Sequence, residues 1–288
     1  MQEQHQEMTE AAPGTHAVSF FDVDGTLVWR DFAEMRRRSH ETVNSGMEIK
    51  PSAAVADAFR RMHERGNATF ICTGRPVPFV LPSLLALEPT GIIAAAGAYV
   101  RVGDTVVRDV AIDPTLVVEV ARRFEAAGLD VTIESDTQNL ELRPSGAPAR
   151  FPRSALARTA AEVAEATGRH RFQKFCTNGL ERDALAPLMP LIEEHFTICD
   201  LQGGVFEFSL KGIDKGTGIA CALAHMGHGR ANTFAFGDSE NDLSMAPAVE
   251  TFVAMGNALP GVKAAADYVT LSAADEGVPA GLAHFGLI

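Results

Sequence analysis

A chain of 288 residues with a formal net charge of −12, 46% hydrophobic and 22% charged residues, has an ordinary globular composition. Its acidity argues against nucleic-acid and anionic-membrane partners, whose affinity rests on Lys and Arg meeting phosphates. At this length one large core or two domains can form, and no run approaches the roughly 20 apolar residues of a membrane-crossing helix.

Residues 1–16 are polar and lack the apolar stretch of a signal peptide, so a loose tail is expected. The apolar run 17–21 has strand length and suits a central parallel strand covered on both faces. Over 51–65, Val55, Phe59 and Met62 fall on one helical face, Pro51 suits the first turn and Gly66 the stop. A strand follows at 68–72. The alternation returns with a helix after Lys215, a strand at 233–236, a helical segment near Met245 and a strand at 252–255. This pattern predicts a doubly wound, Rossmann-like α/β core with a parallel sheet.

The middle reads differently. Helices at 115–127 and 182–194 alternate with short strands at 130–134, 140–143, 172–176 and 205–209, several without a helix between them. An antiparallel α+β cap inserted into the parallel domain is expected. The expected division is a tail at 1–16, a discontinuous core at 17–111 and 210–288, and a cap at 112–209. Cys72, Cys176, Cys199 and Cys221 are scattered with no Cys-x-x-Cys pair. They read as free, mostly buried thiols, which points to a reducing, cytoplasmic setting.

Four strings directly follow apolar runs: Asp22-Val23-Asp24-Gly25-Thr26, Thr73-Gly74-Arg75, Lys215-Gly216, and Gly237-Asp238-Ser239-Glu240-Asn241-Asp242. In an open α/β sheet the carboxyl ends of parallel strands empty into one crevice, so these strings become neighbours. Asp22 and Asp24, two apart, repel unless a cation lies between them or one stays protonated. Either state serves phosphoryl chemistry: one carboxylate attacks phosphorus, the other moves protons. Alone, this string could equally be a simple turn. Thr73 and the Thr-Gly backbone offer donors to a phosphoryl oxygen, and Lys215 offers a compact positive charge. Asp238 reads as a direct Mg²⁺ ligand, with Asn241 and Asp242 tying down the loop or the phosphate. Trp29 and Arg30 follow the first string and are candidates for substrate contact; the run Arg36, Arg37, Arg38 reads rather as a solvated helix face.

The order of these strings resembles the haloacid dehalogenase superfamily of phosphatases, and most closely its Cof-type branch, in which an α/β cap is inserted between the second and third motifs. The resemblance runs from Val18 to the C-terminus and includes 212–219, 255–258 and 262–269. It implies that Asp22 is the nucleophile and a Mg²⁺ ligand, and that Asp24 is the acid/base and lends its backbone carbonyl to the metal. It further implies that Thr73 and Gly74 bind the phosphoryl group, that Lys215 neutralises it, that Asp238 completes the metal site, and that Asn241 reaches the phosphate with Asp242 behind it. Ala96 departs from the pattern, standing where the family usually has Asn.

The expected activity is hydrolysis of a small phosphomonoester, a sugar phosphate by class. A phosphomutase, a phosphoaspartate signalling module and a metal-free dehalogenase are the alternatives. The expected partner is a small phosphorylated metabolite, with no nucleic acid, no membrane and no inferable protein partner.

Overall fold

A computed structural model describes residues 16–29, 50–151 and 153–288. The Arg36–Arg38 run, Arg30 and residues 1–15 of the expected tail lie outside the described residues. In chain order the core begins with β1 (Val18–Phe21), α1 (Ala53–Glu64), β2 (Ala68–Cys72), α2 (Pro82–Leu85), β3 (Gly91–Ala94), β4 (Tyr99–Val102) and β5 (Thr105–Asp109). The middle holds α3 (Pro114–Ala126), β6 (Val131–Ser135), β7 (Leu140–Leu142), β8 (Ala155–Ala157), α4 (Ala160–Ala166), β9 (Phe172–Thr177), α5 (Met189–His195), β10 (Phe196–Asp200) and β11 (Phe206–Leu210). The core resumes with α6 (Lys215–Met226), β12 (Thr233–Gly237), β13 (Thr251–Ala254), α7 (Pro260–Ala265), β14 (Tyr268–Val269) and α8 (Gly277–His284).

The larger sheet has eight strands in the order β14-β13-β12-β1-β2-β3-β4-β5. Pairing is parallel from β14 through to β3, as expected for a Rossmann-like core. At one end β4 and β5 add an antiparallel hairpin that the alternating pattern did not announce. Its cause is local: Gly103, at φ +54°, and Asp104 link the two strands, and so short a link can only reverse the chain. Phe20, Phe21, Phe70 and Phe236 are fully buried along the central strands, with Phe21 and Phe236 stacked at 5.0 Å. The α1 face of Val55, Phe59 and Met62 packs into this core as its periodicity predicts. The helix begins at Ala53 because Ser52 caps it, accepting from Val55 N at 3.1 Å, which leaves Pro51 just outside.

The cap sheet has six strands in the order β10-β11-β9-β6-β7-β8, antiparallel except for the β7–β8 pair. Its own apolar cluster includes Val117, Val120 and Phe124 of α3, Ile133, Phe175 and Phe208. The helix expected over 182–194 divides into a 3-10 segment, Arg182–Leu188, followed by α5. Pro187 and Pro190 lack the N–H that a continuous helix needs there. The helical segment near Met245 is likewise a 3-10 run, Glu240–Ala248, with Pro247 inside it. Among the described residues no helix is long and apolar enough to cross a membrane.

Candidate functional site

Strand register places the first acidic string against the last. Phe21 pairs with Phe236, and Asp22 N donates to Phe236 O at 3.0 Å, so Asp22 and Asp238 leave adjacent parallel strands side by side. Asp22, Asp238 and Asp242 can bring ligand oxygens within 4.8 Å of one another. Lys215, at the first turn of α6, reaches into this group. Its Nζ donates to Asp22 Oδ1 and Asp242 Oδ1, both at 2.6 Å. The α6 terminus is fixed by a capping box, in which the Asp214 carboxylate accepts from Thr217 N at 2.7 Å.

Three carboxylates share one buried ammonium, and the electrostatics follow from that excess. Burial raises the Asp22 carboxyl to about 7 even though Lys215 pulls it down. Asp238 makes no hydrogen bond to Lys215; burial, then repulsion from Asp22 and Asp242, raise it to about 9 against the pull of Lys215. Burial would lower the Lys215 ammonium, but Asp22 and Asp242 outweigh it and hold the group well above its ordinary range.

The residues fit a divalent cation. Asp238 Oδ1 is buried without a hydrogen-bond partner, while Oδ2 accepts from Asn257 Nδ2 at 3.3 Å. A Cβ at Gly25, itself at φ +92°, would collide with the Asp238 carboxylate, so only glycine leaves this approach open. Asp242 is otherwise engaged: its Oδ2 accepts from the backbone of Asp238 and Ser239 at 2.8 and 2.9 Å. The free oxygen therefore belongs to Asp238.

The Asp24 side chain is held from outside the three-carboxylate group. Arg75 clasps it with two hydrogen bonds, Nε to Oδ2 at 2.8 Å and a terminal nitrogen to Oδ1 at 2.7 Å. Thr73 is buried at the end of β2, its hydroxyl accepting from Arg75 N at 3.2 Å. Asn241 Nδ2 donates to Glu207 Oε2 of the cap at 3.1 Å, and Glu207 also stands over Gly74. Trp29 is 48% exposed just beyond the first loop.

Sequence reasoning named Arg75 only as part of a string and gave Glu207 and Asn257 no role. Glu207 had a visible signal, a lone acid alternating with Phe206 and Phe208 on a strand. The Arg75–Asp24 clasp had none, because it depends on how two separate turns face each other.

A family model for haloacid dehalogenase-like hydrolases matches residues 19–282. The chain belongs to that family. The hydrolase carries the inserted cap of the Cof-type branch. It is 25% identical to a HAD subclass IIB sugar phosphatase, with a TM-score of 0.78 over 94% of this chain and 100% of that one. A phosphatase of the same superfamily from Bacteroides thetaiotaomicron is also 25% identical, with a TM-score of 0.77 over 99% of this chain and all of that one. The phosphoglycolate phosphatase of Methanothermobacter thermautotrophicus is 40% identical over 73 residues, 25% of this chain. The hydrolase thus matches about a third, 33%, of that curated relative's length.

Proposed function

We propose that the hydrolase is a Mg²⁺-dependent phosphatase of a small phosphomonoester, a sugar phosphate by class, working through a phosphoaspartate on Asp22. The observation that carries this reading is the meeting of Asp22, Lys215 and a partnerless Asp238 oxygen at the ends of adjacent parallel strands. The sugar phosphatase of like fold supports the sugar-phosphate class, and the phosphoglycolate phosphatase relative supports the broader class of small phosphomonoesters.

In this reading Asp22, Asp238 and the backbone carbonyl of Asp24 hold Mg²⁺, which when bound neutralises charge on the cluster and the phosphoryl oxygens. An Asp22 oxygen attacks phosphorus. Asp24, aimed by Arg75, protonates the leaving oxygen and afterwards takes a proton from water, splitting one hard hydrolysis into two easier steps. Lys215 favours the ionised form of Asp22 against burial and meets the phosphoryl charge; Thr73, Gly74 and Asn241 orient it, with Asp242 supporting Lys215 and the loop backbone. We place the core at 17–111 and 210–288 and the cap at 112–209, with movement at the two crossings releasing product. A cytoplasmic location and a small phosphorylated metabolite as partner belong to the same reading.

The test is release of inorganic phosphate from a broad panel of phosphorylated metabolites, with and without Mg²⁺, beside Asp22→Asn. The reading expects Mg²⁺-dependent release by the parent and none by the variant at an unchanged circular dichroism spectrum. Isomerised sugar phosphate without free phosphate would favour a mutase, and a phosphoaspartate persisting for hours a signalling module. Activity surviving chelation would count for metal-free chemistry.

A further inference from the structure

The turn after β13 takes no part in the chemistry above, yet it is fixed from several sides. Met255 N donates to Gly237 O at 3.0 Å, Gly256 N to Leu271 O at 2.9 Å, and Lys263 Nζ to Gly256 O at 2.5 Å. These contacts carry Asn257 between the first and last acidic loops. Its side-chain oxygen accepts from Ala273 N at 2.8 Å, and its nitrogen donates to Gly25 O at 2.9 Å and to Asp238 Oδ2 at 3.3 Å. A backbone N–H can only donate and a backbone carbonyl can only accept, so Ala273 and Gly25 together fix which end of the amide faces Asp238.

The consequence falls on the two oxygens of Asp238, which are not equivalent. Oδ2 takes the Asn257 N–H and packs against Gly25, where an added Cβ would collide with it. Oδ1 is buried without a hydrogen-bond partner. The neighbouring carboxylates are restricted too: Asp22 Oδ1 and Asp242 Oδ1 accept from Lys215, and Asp242 Oδ2 accepts from two backbone N–H groups. None of the three carboxylates therefore offers both oxygens to a cation. At Asp238 the side chain that imposes this is Asn257.

We propose that Asn257 is a positioning residue that restricts Asp238 to one metal-facing oxygen, and that by this restriction the site selects a small octahedral cation over a larger one of equal charge. This rests on the divalent-metal site of the phosphatase reading above. Mg²⁺ demands near-ideal octahedral geometry and keeps several waters, whereas Ca²⁺ takes about six to eight oxygens and accepts carboxylates through one oxygen or both. A carboxylate free to turn both oxygens inward favours the larger ion. The Asn257 N–H opposes that turn, because rotating Asp238 breaks the hydrogen bond and leaves an amide donor unmatched. The other donor, on Gly25 O, holds the residue after Asp24, so one amide ties the two acidic loops together.

The experiment measures Mg²⁺ and Ca²⁺ binding to metal-free protein by isothermal titration calorimetry, in the parent, Asn257→Ala, Ala273→Pro and the double variant. Ala273 opens a 3-10 turn behind Ser272, which lies at φ −68° and ψ 160°, a setting that accepts proline. Ala273→Pro therefore removes only the N–H that the Asn257 oxygen accepts. In the double variant no donor is stranded at 273, which guards against misfolding of Asn257→Ala. The ratio of the Ca²⁺ to the Mg²⁺ dissociation constant should fall roughly tenfold in Asn257→Ala and in the double variant, and keep its parent value in Ala273→Pro. A merely structural role would move both ions alike. Equal weakening of both ions, or the same shift of ratio in Ala273→Pro, would overturn the proposal while leaving the metal site in place. A parent that binds neither ion would overturn the proposal and the metal-dependent reading together.

Discussion

Lys215 decides the charge state of the site, because its ammonium is hydrogen-bonded to two buried carboxylates there. Replacing it by Met leaves Asp22 and Asp242 buried together without that ammonium. Removing one partner of a buried ion pair costs about 3–5 kcal/mol, so Lys215→Met should unfold at markedly lower urea concentration, with Mg²⁺ recovering part of the loss. A loss below about 1 kcal/mol, the scale of an exposed pair, would contradict the account. Ala96 presents the opposite case. Its φ of 52° is the left-handed region, which an alanine occupies at a cost of about 1–2 kcal/mol. Asn tolerates that conformation better, which gives a physical reason for the residue the resembling family usually has there. Ala96→Gly should therefore stabilise the protein by about 1 kcal/mol, measured by the urea midpoint. At this scale the carboxylates of the site were legible in the sequence, since Asp22, Asp24, Asp238 and Asp242 repel unless something holds them. The pairings of Arg75 and Glu207 were not, because their partners Asp24 and Asn241 lie 51 and 34 residues away.

At the scale of elements, strand register does the positioning. The parallel pairing of Phe21 with Phe236 places two acidic loops side by side, and α6 delivers Lys215 from the opposite direction. The orientation of α6 depends on Asp214, whose carboxylate caps its first turn. Asp214→Ala should cost about 1 kcal/mol by the cap alone. It should also lower kcat by more than that stability loss explains, because Lys215 is the next residue; unchanged kcat with reduced stability would separate the cap from the site. The parallel elements were readable because apolar runs and helical periodicity repeat at strand and helix length. The 3-10 segments Arg182–Leu188 and Glu240–Ala248 and the β4–β5 hairpin were not. The first two carry prolines inside otherwise helical spacing, and the hairpin hangs on a single left-handed glycine.

Across the whole molecule the acidic cluster couples stability to pH and to metal. Asp22 and Asp238 titrate near 7 and 9, above the 3.8 of a free aspartate, so the folded protein binds more protons than the unfolded chain between those values. Their contribution to stability is whole below pH 3.8 and is lost as pH rises through about 7 and then about 9. A bound divalent cation removes the need for those protons. Stabilisation by Mg²⁺ should accordingly grow from pH 6 to pH 9 in thermal melts with and without chelator, and a constant or shrinking increment would contradict it. The fold class, with its parallel core and antiparallel cap, was open to sequence reasoning because each sheet type leaves its own pattern. The meeting of cap and core at Glu207 and Asn241 was not, since it depends on two sheets closing over one another. The central claim is that Asp22 takes the phosphorus, and acid-quenched turnover of a substrate carrying labelled phosphate tests it directly. The account predicts label on the peptide containing Asp22, removable by hydroxylamine and absent in Asp22→Asn. Phosphate release at full rate without labelled protein, or label on another peptide, would contradict it.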